Sequence, residues 1–431
     1  MKKRRIALLM AVSLIAGLMT GCGSSTKDSD AAEKKMGETL TFMCNGSDAE
    51  PYVEGYKKIC EDFSANNEYG VTVEVEFYQN DDFRTKLTTL MASDAVPDIF
   101  FTWELGYLKP FVDGGKVADI TSYLDEDTAW KESFTDGMLD LLSYDGKNYG
   151  VPTQRTFCVM FYNKRIFEEN AVEVPRTYEE FLAVCETLKN NGVTPMSLAG
   201  ADAWVGGQFI QQIANGMAGY DMFKGICDGT VPWNNEANIK AAEEVQRMVD
   251  DGYFQNGYES AGFEESREVF SGGNAAMHFM LMGDSQAICA GSEGENIGAF
   301  VMPAYDPQYS NISVGSVDTC LAIAESCENK DAAVAFLKYW TSKEAEEMLL
   351  YDYGRAPCGN FELDESKMSE LLTSIMEIGN SQSALTPWWN RQFGAGEGNE
   401  FDNTCQAILG GADAAESFAK LQQFAADNAE R

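Results

Sequence analysis

The chain has a single histidine, His278, among its 431 residues, and none of its eleven cysteines stands in a Cys-x-x-Cys pair. These shortages exclude a histidine-rich zinc site, and any Ser-His-Asp arrangement would have to use His278. That histidine lies in the apolar run 275–282, which is typical of a strand in a core. A core histidine is therefore favoured over a catalytic one, and we assign no catalytic residue, metal ion or cofactor from the sequence.

Basic residues are also scarce, because 32 Lys and Arg stand against 68 Asp and Glu, for a net charge of −36. This balance argues against nucleic acid or an anionic membrane surface as a partner. It is compatible with a neutral or a cationic ligand. Beyond residue 22 no apolar run is long enough for a membrane span, and no glycine-rich phosphate loop follows the first strands, so a nucleotide is not expected.

The first residues combine a basic start, Lys2–Arg5, with the short apolar run Ile6–Leu18. The segment Met19-Thr20-Gly21-Cys22 follows, with small residues leading into a cysteine. This pattern predicts a secretory signal over residues 1–21, and its final cysteine makes it similar to a bacterial lipoprotein signal. We expect Cys22 to be lipidated; the alternative is an ordinary cleaved signal with a chance cysteine.

Residues 22–37 are small, polar and charged, and their composition predicts a flexible tether. The residues that follow are too many for one core and predict two lobes. Ten further cysteines are scattered through helix and strand patterns as small apolar residues are, so we expect most of them to be free and buried.

The first half of the body alternates strand and helix patterns. Strict alternation at 71–77 indicates a strand, and helical spacing of apolar residues at 51–65 indicates a helix. The order is βαβαβ, which predicts a parallel sheet with right-handed crossovers. In order, the predicted elements are strand 39–43, helix 51–65, strand 71–77, a helix that begins at Asn80 or Asp81, and strand 99–102.

Ligands of open parallel sheets bind at the carboxyl ends of the strands. The first predicted strand ends in a loop with Asn45 and Asp48, and the third is followed directly by Trp103 and Glu104. The two loops are far apart in sequence but should meet at one edge. We expect these four residues to contact a ligand there, with Trp103 as the strongest candidate.

Five segments in order make the chain similar to the bacterial extracellular solute-binding proteins of family 1, the sugar-capturing lipoproteins of ABC importers related to maltose-binding protein. The resemblance covers essentially the whole mature chain. No single motif is specific, but their order is. The segments are Pro97–Ile120, Tyr149–Pro152, Phe161–Phe181, Phe270–Met277 and Ala333–Pro357.

The resemblance implies an α/β, two-lobe, periplasmic-binding-protein-like fold of type II, with a three-segment hinge. Crossings are expected at Val151-Pro152, Val301–Pro303 and Gly354–Pro357. Lobe one is then 38–150 plus 305–352, and lobe two is 153–302 plus 356–431.

Sugars need aromatic faces for stacking and planar polar groups for hydrogen bonds. The resemblance implies a second set of ligand residues, from lobe two and the first crossing. Arg155 could instead brace the hinge by pairing with an acid, and one of the two adjacent tryptophans could face the core. The set is Gln154, Arg155, Asp202, Trp204, Asp284, Trp388 and Trp389.

The function implied is capture of a carbohydrate, expected to be an oligosaccharide, by hinge closure and its delivery to the permease subunits of an ABC transporter. The protein is expected to be a monomer on the outer face of the cytoplasmic membrane, held by its lipid anchor, in a Gram-positive type of envelope. Two alternatives stay open. The same fold could bind a polyamine or other cation, or the protein could be a surface-anchored glycoside hydrolase.

Overall fold

The computed structural model describes residues 39–93 and 95–429, apart from the side chains of residues 81, 395 and 429. The predicted signal, the tether and Cys22 lie outside the described residues. Within them, no helix combines the length and the apolar character that crossing a membrane requires.

Strands occur throughout the described chain, and two of them are much longer than the rest. They are β1 Thr39–Asn45, β2 Thr72–Tyr78, β3 Ile99–Thr102, β4 Ser143–Tyr144, β5 Lys147–Asn148, β6 Val151–Asn163, β7 Met196–Ser197, β8 Met277–Leu281, β9 Ile297–Phe300, β10 Ile312–Ile323, β11 Ala356–Pro357 and β12 Ala384–Thr386.

Helices connect these strands and cover the sheet. They are α1 Tyr52–Asn66, α2 Asn80–Ala92, α3 Lys109–Asp113, α4 Thr121–Glu126, α5 Thr128–Glu132, α6 Lys164–Glu169, α7 Tyr178–Asn190, α8 Ala203–Cys227, α9 Glu236–Asp250, α10 Phe263–Ser271, α11 Ser285–Cys289, α12 Lys330–Trp340, α13 Lys343–Tyr353, α14 Glu370–Ser381, α15 Trp389–Gln392, α16 Asn399–Leu409 and α17 Ala414–Ala429.

The predicted parallel winding of the first half is confirmed. Strand β1 pairs in parallel with β2 on one side and with β3 on the other. Helix α1 buries Val53, Tyr56, Ile59, Cys60 and Phe63, the face that the helical spacing predicted. The carboxyl ends of β1 and β3 therefore lie at the same edge of the sheet.

The two long strands carry the sheet from one half of the molecule into the other. Strand β10 pairs antiparallel with β3 at residues 320–323 and with β6 at residues 315–321. The remainder of β6 pairs with β8 and β9. The resulting strand order is β2-β1-β3-β10-β6-β8-β7, so one continuous hydrogen-bonded sheet links the two halves.

Two separate hydrophobic clusters define what we call lobe one and lobe two. Lobe one is built on β1–β3, α1 and α12, and lobe two on the second half of β6, α7–α9 and α16. Strand β6 passes from Val151 in the first cluster to Phe157 in the second. Strand β10 passes from Val314 in the second to Val317 in the first. Both crossings thus occur inside strands.

The second crossing differs from its predicted place at Val301–Pro303. The predicted lobe one began again at residue 305, but Tyr305 packs on Tyr178 with ring centroids 5.3 Å apart, and the Asp306 amide donates to the Gly216 carbonyl at 2.8 Å. Residues 312–314 also pair with β12. We keep the division into two lobes as a proposal and move this crossing into β10, because the chain stays with lobe two until Val314.

The ten cysteines of the described residues are free, which confirms the expectation that most of them would be. Eight of the ten in the described chain are buried, and only Cys227 is exposed, with Cys289 half-buried. Burial raises the pKa of buried thiols such as Cys60, which reaches about 12. These side chains therefore act as small apolar groups with little thiolate character.

We expect protein that begins at residue 38 to react with a thiol reagent promptly at Cys227 and Cys289 only, because the other thiols are shielded while the chain is folded. After unfolding without reductant, all ten thiols should titrate. Recovery of eight or fewer would indicate a disulfide and contradict this structure.

Candidate functional site

A cavity of about 570 Å³ lies between the two lobes. Its wall contains the loop after β1, the segment after β3, the first turns of α8 and α10, the end of β8 and the segment from Trp388 to Arg391. Both lobes and the crossing strand β10 thus contribute to one partly open cavity. The volume lies in the range of small-molecule sites, roughly 300–1,000 Å³.

The edge predicted from the parallel strands does line this cavity, though with a different set of side chains. Asn45 and Trp103 are in the wall. Asp48 is not: its side chain is 89% exposed and pairs with Lys57 at 3.0 Å. The loop turns through a hydrogen bond from the Glu50 amide to the Ser47 carbonyl, which brings Glu50 to the cavity instead.

Trp103 and Glu104 have different surroundings, because adjacent residues point to opposite sides. Trp103 is in the wall but only 6% exposed, with Phe101 and Tyr107 edge-on to its ring. Glu104 is outside the wall and fully buried, 3.9 Å from Arg391. Burial raises the pKa of the Glu104 carboxyl. The structure places Glu104 behind the site, against Arg391.

Gln154 and Arg155 lie on β6 but do not reach the cavity wall. Gln154 accepts a hydrogen bond from the Tyr56 hydroxyl at 2.7 Å, which connects the crossing strand to α1. Arg155 lies near Glu346, where burial raises the pKa of the carboxyl and the arginine's charge opposes that rise. The position of Arg155 favours the hinge-bracing alternative.

Asp202, Trp204 and Asp284 all reach the cavity from lobe two. Asp202 precedes α8 and accepts a hydrogen bond from the Phe263 amide, which fixes the start of α10 beside it. The Trp204 ring lies 5.6 Å from the Phe263 ring and is half-buried. Of the cavity's three indoles it is the most accessible.

The two adjacent tryptophans, Trp388 and Trp389, have different environments, in line with the alternative that one of them faces the core. Trp388 is in the cavity wall, and its indole nitrogen donates to Gln208 at 3.1 Å. Trp389 is fully buried in lobe two, edge-on to Trp233 at 5.3 Å and to Phe401 at 4.9 Å. The structure therefore brings Trp388 to the site and places Trp389 in the core.

Two arginines that the sequence reasoning did not select lie in the wall and share Asp318. Arg355 binds Asp318 and donates to the Thr319 hydroxyl at 3.2 Å. Arg391 donates to the Val317 carbonyl at 2.9 Å and lies 3.4 Å from Asp318. Burial lowers the pKa of Arg355, but Tyr56 and Asp318 more than offset this effect, so the guanidinium keeps its charge beside the Asp318 carboxylate.

Side chains from the two lobes are in direct contact around the cavity. Arg267 of lobe two binds Glu50 of lobe one at 3.0 Å and Asp284 at 2.7 Å. Elsewhere Ser47 and Gln79 both bond to Glu264, at 3.2 Å and 3.1 Å. The lobes are therefore closed on each other in this structure.

The backbones of the two lobes also meet, at a pair of glycines. A Cβ on Gly106 would overlap the Gln392 carbonyl oxygen, and a Cβ on Gly394 would overlap the Gly106 carbonyl oxygen. Gly394 has a φ of +70°, which L residues with side chains rarely adopt. This contact requires glycine on both sides.

Two lobes joined by crossing strands, with a cavity between them and the strand order β2-β1-β3-β10-β6, form the architecture of a type II solute-binding protein. The sequence profile of the bacterial extracellular solute-binding proteins matches residues 48–347, well over half of the chain. The chain belongs to this family.

Individual relatives agree with this assignment. A multiple sugar-binding protein of Streptococcus mutans is 24% identical over 403 residues, covering 90% of this chain and 91% of its own. A structure from work on xylan utilization by Caldanaerobius polysaccharolyticus has a TM-score of 0.84 at 28% identity, covering 89% of this chain and 99% of its own. A chitin oligosaccharide binding protein has a TM-score of 0.85 at 22% identity, covering 91% and 99%.

The position of Asp284, which shares Arg267 with Glu50, leads to a prediction about how stability depends on pH. Burial and the neighbouring Glu50 raise the pKa of Asp284 from 3.8 to about 7, although Arg267 and Arg355 oppose the rise. Between these values the folded protein holds a proton that the unfolded chain does not, so this carboxyl favours folding at low pH and loses that effect as the pH rises.

We therefore expect the free energy of unfolding of wild type, relative to Asp284→Asn, to fall as the pH rises from 3.8 to about 7 and to level off above it. Urea unfolding of both proteins measures the difference, in which the titration of His278 cancels because both retain it. A difference that is constant across this window would contradict the raised pKa.

Proposed function

We propose that this protein binds a carbohydrate between its lobes, closes around it and delivers it to the permease subunits of an ABC importer. The observation that carries the proposal is the composition of the cavity wall. Eight aromatic side chains, including Trp103, Trp204 and Trp388, stand there beside amides, carboxylates and guanidiniums from both lobes. Such a wall combines ring faces with planar polar groups, which is what a sugar requires.

Two acceptors in the wall support binding of hydroxyl groups. Asn390 donates its amide to Asp402 at 2.8 Å, while its carbonyl oxygen has no partner among the described residues. The second carboxylate oxygen of Asp284 is likewise buried without one. A buried acceptor left without a hydrogen bond costs free energy, which ligand hydroxyls at these atoms would recover.

The cavity volume favours a short oligosaccharide. A hexose unit occupies roughly 180 Å³ at the density of an organic crystal, and the cavity holds about 570 Å³. This volume corresponds to about three sugar rings. The names of the relatives, a multiple sugar-binding protein and a chitin oligosaccharide binding protein, point to the same ligand class.

Closure follows from ligand contacts made by both lobes. A ligand that touches Asn45 on one side and Trp204 on the other stabilises the closed arrangement and shifts the population toward it. The crossing segments of β6, β10 and β11 supply the hinge. We assign no chemistry to the site, because the family is one of solute-binding proteins and the adjacent carboxylates of Glu50 and Asp284 share Arg267 as a partner.

One observation keeps a cationic ligand as the second candidate. Among the described residues, the wall carries seven carboxylates and three guanidiniums. An excess of carboxylates beside aromatic rings also suits an ammonium group over a π face.

Calorimetry against xylo-, chito- and gluco-oligosaccharides of two to six units, with spermidine in parallel, tests the ligand class. We expect saturable binding of a di- or trisaccharide series, contraction of the protein by small-angle scattering when that sugar is added, and no release of reducing ends. Binding of spermidine alone would select the cationic alternative, and release of reducing ends would select hydrolysis.

We further propose that Cys22 carries a lipid that holds the protein at the outer face of the cytoplasmic membrane, with residues 22–37 as tether. The basic, apolar and small-residue order of residues 2–22 supports this anchor.

Incorporation of labelled palmitate in cells measures the anchor. We expect Cys22→Ser to abolish labelling and to release the protein into the medium, because the acyl acceptor is lost. The matched variant Cys227→Ser, at the exposed cysteine of the described chain, should keep both the label and the membrane location. Release of wild type itself would favour an ordinary cleaved signal.

A further inference from the structure

Three indole rings line the cavity, but they are not equally available. Trp204 is half-buried, whereas Trp103 and Trp388 are 6% and 3% exposed. The guanidinium of Arg391 is the group common to the two covered rings. Its central carbon lies 4.1 Å from the ring centroid of Trp388 and 5.7 Å from that of Trp103.

Arg391 is fixed in that place by acceptors on three sides. It donates to the Val317 carbonyl at 2.9 Å and lies 3.4 Å from Asp318 and 3.9 Å from Glu104. Its side chain is only 15% exposed. A planar guanidinium stacked on an indole occupies the ring face that the C–H face of a sugar would otherwise cover.

We propose that Arg391 fills an aromatic subsite between Trp103 and Trp388, and thereby limits the length of sugar that the cavity accepts and leaves Trp204 as the indole available for stacking. This inference rests on the proposed function and specifies which part of the cavity takes the ligand. The ligand then lies near Trp204 and Phe263, beside Asp202 and Glu265, and the ring face of Trp388 is taken by Arg391.

Removal of the Arg391 side chain should open this subsite without leaving a buried charge alone. Asp318 keeps Arg355 as its partner. Glu104 lies 3.9 Å from Arg391, and its pKa is already raised by burial, so it can take up a proton when that charge is lost. The freed face of Trp388 then becomes available to a further sugar ring.

The experiment compares wild type, Arg391→Ala and Trp204→Ala against the oligosaccharide series that binds wild type, by calorimetry and tryptophan fluorescence. We expect Arg391→Ala to prefer a sugar about one unit longer than wild type does, with about a tenfold gain for the longer relative to the shorter ligand. Trp204→Ala should lose about tenfold at every length. The control Arg176→Ala, at an exposed arginine outside the cavity, should bind as wild type does.

An unchanged length preference in folded Arg391→Ala, or wild-type affinity in Trp204→Ala, would overturn the assignment while leaving sugar binding intact. If Arg391→Ala does not fold, Arg391→Gln supplies the same comparison, because its side chain is shorter and its amide can still bond to Asp318. Absence of sugar binding by wild type itself would overturn the proposed function, and the role of Arg391 with it.

Discussion

The antiparallel pairing of β6 and β10 runs through both hydrophobic clusters, and the site depends on it. These strands are 13 and 12 residues long, and each passes from one cluster to the other without leaving the sheet. Asp318 lies on β10 near its point of passage and receives Arg355 from the third crossing and Arg391 from lobe two. Backbone hydrogen bonds between β6 and β10 thus set the distance between the lobes. The Asp318 carboxylate, between Arg355 and Arg391, holds this part of the cavity wall in place.

Charge in this site is arranged in compensated groups. Asp318 lies between two arginines, and Arg267 lies between two carboxylates. Each group brings together residues from segments that are distant in sequence. A buried charge is stable only beside a group of opposite charge. The closed arrangement of the lobes and the formation of these ion pairs therefore depend on each other.

The sequence predicted those features that depend on local periodicity. The alternation at 71–77 and the helical spacing at 51–65 sufficed for the parallel winding, and the winding placed Asn45 and Trp103 at the ligand edge. The direction of single side chains was less accessible. A turn brings Glu50 to the cavity in place of Asp48, and core packing buries Trp389 and leaves Trp388 in the cavity wall. The crossing inside β10 was missed because apolar residues continue through it, and periodicity does not reveal which core they join.

The backbone contact between Gly106 and Gly394 limits how closely the two lobes can approach each other. At this contact the main chain of one lobe touches the main chain of the other. The distance between the lobes is therefore limited here by peptide groups and not by side chains, which a substitution could change. A single methyl group at either glycine would hold the two lobes farther apart than they are in this structure. Neither glycine lines the cavity, so the closed arrangement is limited at this contact by residues that take no part in the site itself.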